Sequence, residues 1–90
     1  MQELRKADVK NAYSLGRGLG EIWEMEISDG SPIAGKTVRA ADFPASSKIC
    51  ACLRNEEISY LGETDVLQAG DKVIIYVDSA AIRKVEKIIS

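Results

Sequence analysis

An α+β fold follows from three features of the sequence. The first is strict alternation from Glu21 to Ile27, where Trp23, Met25 and Ile27 share one face and Glu24 and Glu26 the other, the period-2 pattern of a half-buried strand. The second is the unbroken apolar run Val73-Ile74-Ile75-Tyr76-Val77, which reads as a strand covered on both faces. The third is the stripe of Ile82, Val85, Ile88 and Ile89 near the C-terminus, with Arg83, Lys84, Glu86 and Lys87 mostly on the other side, as in an amphipathic helix. Strands drawn from distant parts of the chain, with helices on one face, predict a small β-sandwich-like antiparallel or mixed sheet carrying a short helix and a C-terminal helix.

The elements follow in order. Residues 1–8 are polar and charged and read as a chain end. Asp8 to Leu15 holds a weak strand pattern through Val9, Ala12, Tyr13 and Leu15. The glycine-rich Gly16-Arg17-Gly18-Leu19-Gly20 then joins it to the strand Glu21–Ile27 as a hairpin. Ser28-Asp29-Gly30-Ser31-Pro32 is a turn. Lys36 to Asp42 has room for about two helical turns, with Val38 and Ala41 on one side, and Phe43-Pro44 stops it because the residue before proline is pushed out of the helical region. Lys48 to Arg54 is a strand that turns Ile49, Ala51 and Leu53 one way and Cys50 and Cys52 the other. Asn55-Glu56 connects it to a return strand through Ile58 and Tyr60. Ala69-Gly70-Asp71 turns the chain into the strand Lys72–Asp78. Asp78 or Ser79 caps the last helix, and Lys87 in its final turn suits the helix dipole.

Composition narrows the function. Ninety residues make one domain, since a chain this short cannot divide its core. Twelve basic residues stand against fourteen acidic ones, without the basic surplus from which a nucleic-acid binder draws its affinity, so no nucleic-acid partner is expected. No apolar run approaches the ~20 residues that span a bilayer. The first residues also lack the apolar core of a signal peptide, so the expected location is cytoplasmic. Two closely spaced cysteines do not make a disulfide framework and fit a reducing compartment.

The residues that usually carry chemistry are sparse. Cys50 and Cys52 would share a strand face, but structural zinc needs about four ligands. The chain has no histidine and no further cysteine, so both thiols are expected to pack under a helix, and no metal is expected. Gly16, Gly18 and Gly20 have the wrong spacing for a dinucleotide fingerprint, and a strand follows them. Glu21, Glu24 and Glu26 read as a solvated strand face. In Gly70-Asp71 the glycine permits positive φ and the carboxylate bonds nearby backbone N–H groups, so the pair closes a turn. Without a histidine base or a Ser-x-x-Lys motif there is no support for nucleophilic catalysis; no enzyme, no catalytic residue and no cofactor are expected. Lys36, beside a glycine, and Arg54, at the end of a strand, are the candidate contacts for an anionic ligand.

Three segments in fixed order carry a family resemblance: Trp23 to Val38, containing Gly-Ser-Pro-Ile-Ala-Gly-Lys-Thr-Val; the apolar strand ending in Arg54; and Asp65-Val-Leu-Gln-Ala-Gly-Asp-Lys-Val-Ile-Ile-Tyr-Val77. From Ile22 to Ile89 the chain resembles the C-terminal domain of RCK proteins, the TrkA-C domain. The stretch Val9 to Glu24 resembles the linker that precedes it in a Trk potassium-uptake regulator. The resemblance implies residues 1–20 as linker and hairpin strand and residues 21–90 as a regulatory domain that senses a small-molecule or nucleotide ligand. It also implies a homodimer, and a membrane potassium transporter or channel subunit as partner at the inner face of the cell membrane. The Rossmann nucleotide-binding domain of whole regulators has no counterpart in these 90 residues. Some members bind cyclic di-AMP through an Arg and an Asn six positions later. The aligned places here hold Ser31 and Thr37, so that ligand does not carry over, and Ser31 joins Lys36 and Arg54 as a candidate contact. Two readings stay open beside this one: the same module on another cation antiporter or exchanger, and a purely structural dimerisation domain.

Overall fold

The computed structural model describes residues 8–89; residues 1–7 of the polar chain end anticipated from the sequence lie outside them, whereas its last residue, Asp8, is buried and accepts the Ser28 N–H. The strands are β1 (Val9–Ser14), β2 (Gly20–Glu26), β3 (Ser47–Arg54), β4 (Glu57–Ser59) and β5 (Lys72–Asp78). They form one antiparallel sheet in the order β1-β2-β5-β3-β4. A short helix α1 (Val38–Ala41) lies between β2 and β3, and a 3-10 turn (Ser79–Ala81) leads into the C-terminal helix α2 (Ile82–Ile89). The α+β class read from the sequence holds, and the arrangement is a single sheet. β1, in the stretch assigned to the linker, is an edge strand of that same sheet, paired with β2.

The core forms where the alternation said it would. Trp23 pairs with Ile75 and Met25 with Val73 across β2 and β5, and all four are buried. Ala81, Val85 and Ile89 cover them from the helical side, joined by Ile27, Ile33, Ala41 and Leu67. Each such side chain taken out of water contributes about 1.5–3 kcal/mol. The Trp23 indole keeps its N–H satisfied by donating to Glu21 Oε1 at 2.7 Å. Asp78 starts the helical segment by accepting from the Ala80 N–H at 3.0 Å.

β5 is buried on one face only. Val73, Ile75 and Val77 point into the core, while Ile74 and Tyr76 are half-buried on the opposite face. This corrects the reading of cover on both sides: the helices supply a single layer, and the far side of the sheet is open. A second correction concerns β3. Its register against β5 shifts between Ile49 and Ala51, so Cys50 sits in a β-bulge and the side-chain parity reverses there. Ile49 and Cys52 therefore share the inner face, opposite Ile75 and Val73, while Ala51 and Leu53 lie opposite Ile74 and Lys72 on the outer one. Cys52 is fully buried and Cys50 exposed, so only one thiol packs in the core.

Two elements are shorter than the sequence suggested. α1 is one turn, because the Thr37 hydroxyl accepts from the Ala40 N–H and Asp42 already adopts the left-handed conformation that ends a helix. β4 stops at Ser59 and leaves Tyr60 80% exposed. The β3–β4 hairpin turns through Asn55 and Glu56, both at positive φ (55° and 65°), the conformation of a type I′ turn, which favours Asn-Gly. Glu56→Gly is expected to stabilise the domain by about 1 kcal/mol, since glycine occupies that region without the Cβ penalty; a rise in the urea midpoint measures it. Gly20 requires glycine for a different reason. A Cβ there would lie 2.7 Å from the Val77 carbonyl oxygen, so Gly20→Ala is expected to cost about 1–3 kcal/mol through forced backbone displacement, read as a lower midpoint in the same titration.

Candidate functional site

At the end of β3 the chain places a cation against a buried acid. Arg54 Nε donates to Asp71 Oδ1 at 2.8 Å, and Arg54 Nη2 donates to Asp71 Oδ2 at 2.6 Å. The same Nη2 donates to the Val66 carbonyl at 2.9 Å, and Asp71 Oδ2 accepts the Gln68 N–H at 3.0 Å. The Asp71 side chain is 3% exposed and that of Arg54 31%. Burial by itself would raise the Asp71 pKa; the Arg54 fork and the Gln68 N–H outweigh it and hold the carboxyl below its usual range. The guanidinium is raised further above its ordinary value, first by the hydrogen bond to Asp71.

This ion pair pins a loop, and the loop pins a turn. Leu67 donates its N–H to the Lys36 carbonyl at 2.8 Å and accepts from the Gly35 N–H at 2.7 Å. Val38 N–H reaches the Asp65 carbonyl and Arg39 N–H the Glu63 carbonyl. Arg39 and Glu63 add an exposed ion pair at 2.6 Å, which solvent screens and which adds little to stability. Leu67 is fully buried in the core, so the loop is fastened from below as well as from the side.

The three candidate contacts are distributed around this pairing. Lys36 is exposed, and its carbonyl is held by Leu67. Arg54 is attached to the preceding residue, Val66, so both cations are fixed to neighbouring points of one loop. Ser31 is buried. Its hydroxyl accepts from the Ile33 N–H at 3.3 Å and its own N–H donates to Ser28, which commits its polar groups to the turn. Sequence reasoning gave Asp71 a turn-closing role and left Arg54 without a partner. A signal lay in the Asp itself: the turn ahead of an apolar strand buries it, and a buried carboxylate requires a cation. The Arg39–Glu63 pairing carries no local signal, because it depends on two loops meeting.

Among the described residues, no group of three or more His, Cys, Asp or Glu is placed to hold a metal ion. Burial first and Asp71 second push the Cys52 thiol up, so two effects in the same direction, closure and protonation, protect it from electrophiles at neutral pH. Iodoacetamide is therefore expected to label Cys50 alone in the folded domain and both cysteines in denaturant; mass spectrometry of the alkylated peptide counts them. No helix among the described residues is long and apolar enough to cross a membrane.

The order of these features along the chain matches known proteins. The TrkA-C domain family matches residues 22–90, which takes in the turn, the loop, both members of the ion pair and the whole core. Among relatives, the Trk system potassium uptake protein TrkA of Halomonas elongata is 32% identical over 98% of this chain and 20% of its own length. The protein of the same name in Azorhizobium caulinodans is 28% identical over 98% of this chain and 19% of its own. The TrkA homolog 2 of Methanosarcina mazei is 31% identical over 93% and 21%. The chain thus spans about one-fifth of the length of the curated relatives it matches. With nearly four-fifths of its residues, from the first core strand onward, inside one family's pattern and arranged as a sheet backed by helices, the chain belongs to the TrkA-C domain family.

Proposed function

We propose that this chain is a cytoplasmic regulatory domain of a potassium uptake system, without catalytic activity, that acts by dimerising and by binding a small-molecule or nucleotide ligand. Its membership in the TrkA-C family carries the reading, and the names of its relatives supply potassium uptake. The partner on this reading is a membrane transporter subunit, which holds the domain at the inner face of the membrane. The geometry supports an anionic ligand at the loop. The bonds of Arg54 to Asp71 and Val66 use Nε and Nη2, which leaves Nη1 for an anion, and Lys36 stands on the adjoining turn. A ligand held there would favour one arrangement of the loop and shift the population of an attached partner.

Isothermal titration of the purified domain with ATP, NAD, ADP and cyclic dinucleotides tests it. Saturable heat from one of these, weakened about tenfold or more by Lys36→Ala (a loss of about 1.4 kcal/mol), is the expected result. Silence across the panel overturns the sensing part of the reading. Sedimentation at tens of micromolar, on the order of usual assay concentrations, tests dimerisation, and a monomer there overturns that part.

A further inference from the structure

We infer that residues 31–42 and 61–69 form one cooperative unit that opens and closes on the sheet, with Arg54 as its latch. The backbone bonds carry the argument. Among the described residues, segment 61–69 makes four backbone–backbone hydrogen bonds to residues 35–39, Leu67 to Gly35 and Lys36, Asp65 to Val38 and Glu63 to Arg39, and apart from these only the Asp71 N–H reaches into it, closing the exit turn on the Gln68 carbonyl. Thr37 and Val66 form an antiparallel bridge between the two segments. The sheet, by contrast, is closed by its own ladders and takes no backbone bond from 61–69. Apart from the turns at its two ends, Ser31 to Ser28 and Asp71 to Gln68, the pair of segments is therefore a cap bonded to itself. Side chains moor it to the sheet: Leu67 and Ile33 sit in the core, and Arg54 reaches from β3 to the Val66 carbonyl inside the cap and to Asp71 at its exit. A segment bonded mainly to one other segment opens with it, and the free energy of opening lies below that of global unfolding. Arg54 is thus a positioning residue for the whole cap. This goes beyond the regulatory reading and rests on it only in use: a two-state cap on which Lys36 rides is the element a ligand would bias.

Native-state hydrogen exchange of the full chain, followed by NMR across a urea series below the unfolding transition, tests it. In the wild-type domain the amides of Gly35, Val38, Arg39 and Leu67 are expected to share one opening free energy and one urea dependence, both smaller than those of the Trp23 and Ile75 amides. In Arg54→Lys, which keeps the charge and loses the fork, those four protection factors are expected to fall together, about 10-fold or more beyond any fall at Trp23 and Ile75. A core variant, Val85→Ala, lowers the sheet amides too and serves as the control for general destabilisation. If the four amides exchange with different urea dependences in the wild type, the cap is not one unit. If Arg54→Lys lowers them no further than the sheet amides, Arg54 is not its latch. Both readouts are independent of any ligand, so a silent calorimetric panel leaves this result standing.

Discussion

Arg54→Met is expected to lower the unfolding free energy of the domain by about 3–5 kcal/mol, because it strands a buried charge. The Asp71 carboxylate is nearly inaccessible to water and has Arg54 as its cationic partner among the described residues. Beyond the Arg54 fork, its Oδ2 accepts the Gln68 N–H. Removing the cation leaves the desolvation penalty in place and also frees the Val66 carbonyl. The double variant Arg54→Met/Asp71→Leu is expected to recover part of the loss, since replacing both members of a buried pair by apolar groups costs far less than removing one. The pH dependence supplies a second readout. In the wild type the Asp71 pKa is depressed, so its contribution is fully present above the unfolded value of about 3.9 and is lost as pH falls below that toward the folded pKa. In Arg54→Met burial is left as the main influence and the pKa rises. The variant then regains stability as pH falls through the raised value, and the gap to wild type narrows between pH 7 and about 4.5. Urea titrations at the two pH values measure it; a gap that stays constant would show that Asp71 is not the group left stranded.

What the sequence disclosed and what it withheld divide along a physical line. The periodic elements were legible because each depends on its own residues. Trp23, Met25 and Ile27 alternate in sequence and are buried in the structure, and Val85 and Ile89 face the core as the 3.6-residue spacing requires. The β3 bulge was not legible: Lys48 to Arg54 alternates no less plausibly as a regular strand, and the extra residue is set by its pairing with β5. The single-layer cover of β5 was withheld for the same reason, since Ile74 and Tyr76 look like core residues until the number of helices is known. At the candidate site, Arg54 and Lys36 were legible as cations at element ends. Their attachment to adjacent residues of one loop comes from a backbone bond between Lys36 and Leu67, about thirty residues on, and a side-chain bond from Arg54 to Val66, 12 residues on, which no local pattern encodes. The hydroxyl of Ser31 is spent on its own turn, a detail fixed by rotamer and not by residue type.

Trp23→Ala is expected to cost about 3–5 kcal/mol, the range for emptying the site of a buried aromatic, while Ile22→Ala, one residue away, costs about 1 kcal/mol or less. The contrast follows from strand parity. Trp23 is 2% exposed and pairs with the fully buried Ile75, so its loss opens a cavity beneath α2 and leaves Glu21 Oε1 without the indole N–H it accepts. Ile22 pairs with Tyr76 on the uncovered face and is only partly buried, so truncating it removes little surface from contact. For a domain of this size, whose total stability is on the order of 5–15 kcal/mol, the first substitution leaves a small margin and the second is nearly silent. Thermal unfolding followed by far-UV circular dichroism, which does not depend on the lost fluorophore, measures both. The same pair of variants bears on dimerisation. A subunit that binds only the folded state stabilises it in proportion to its concentration. If a second copy covered the open face of the sheet, the cost of Ile22→Ala would grow with protein concentration. A cost that is small and constant from one to a hundred micromolar, roughly the span of usual assays, would place any dimer contact on another surface.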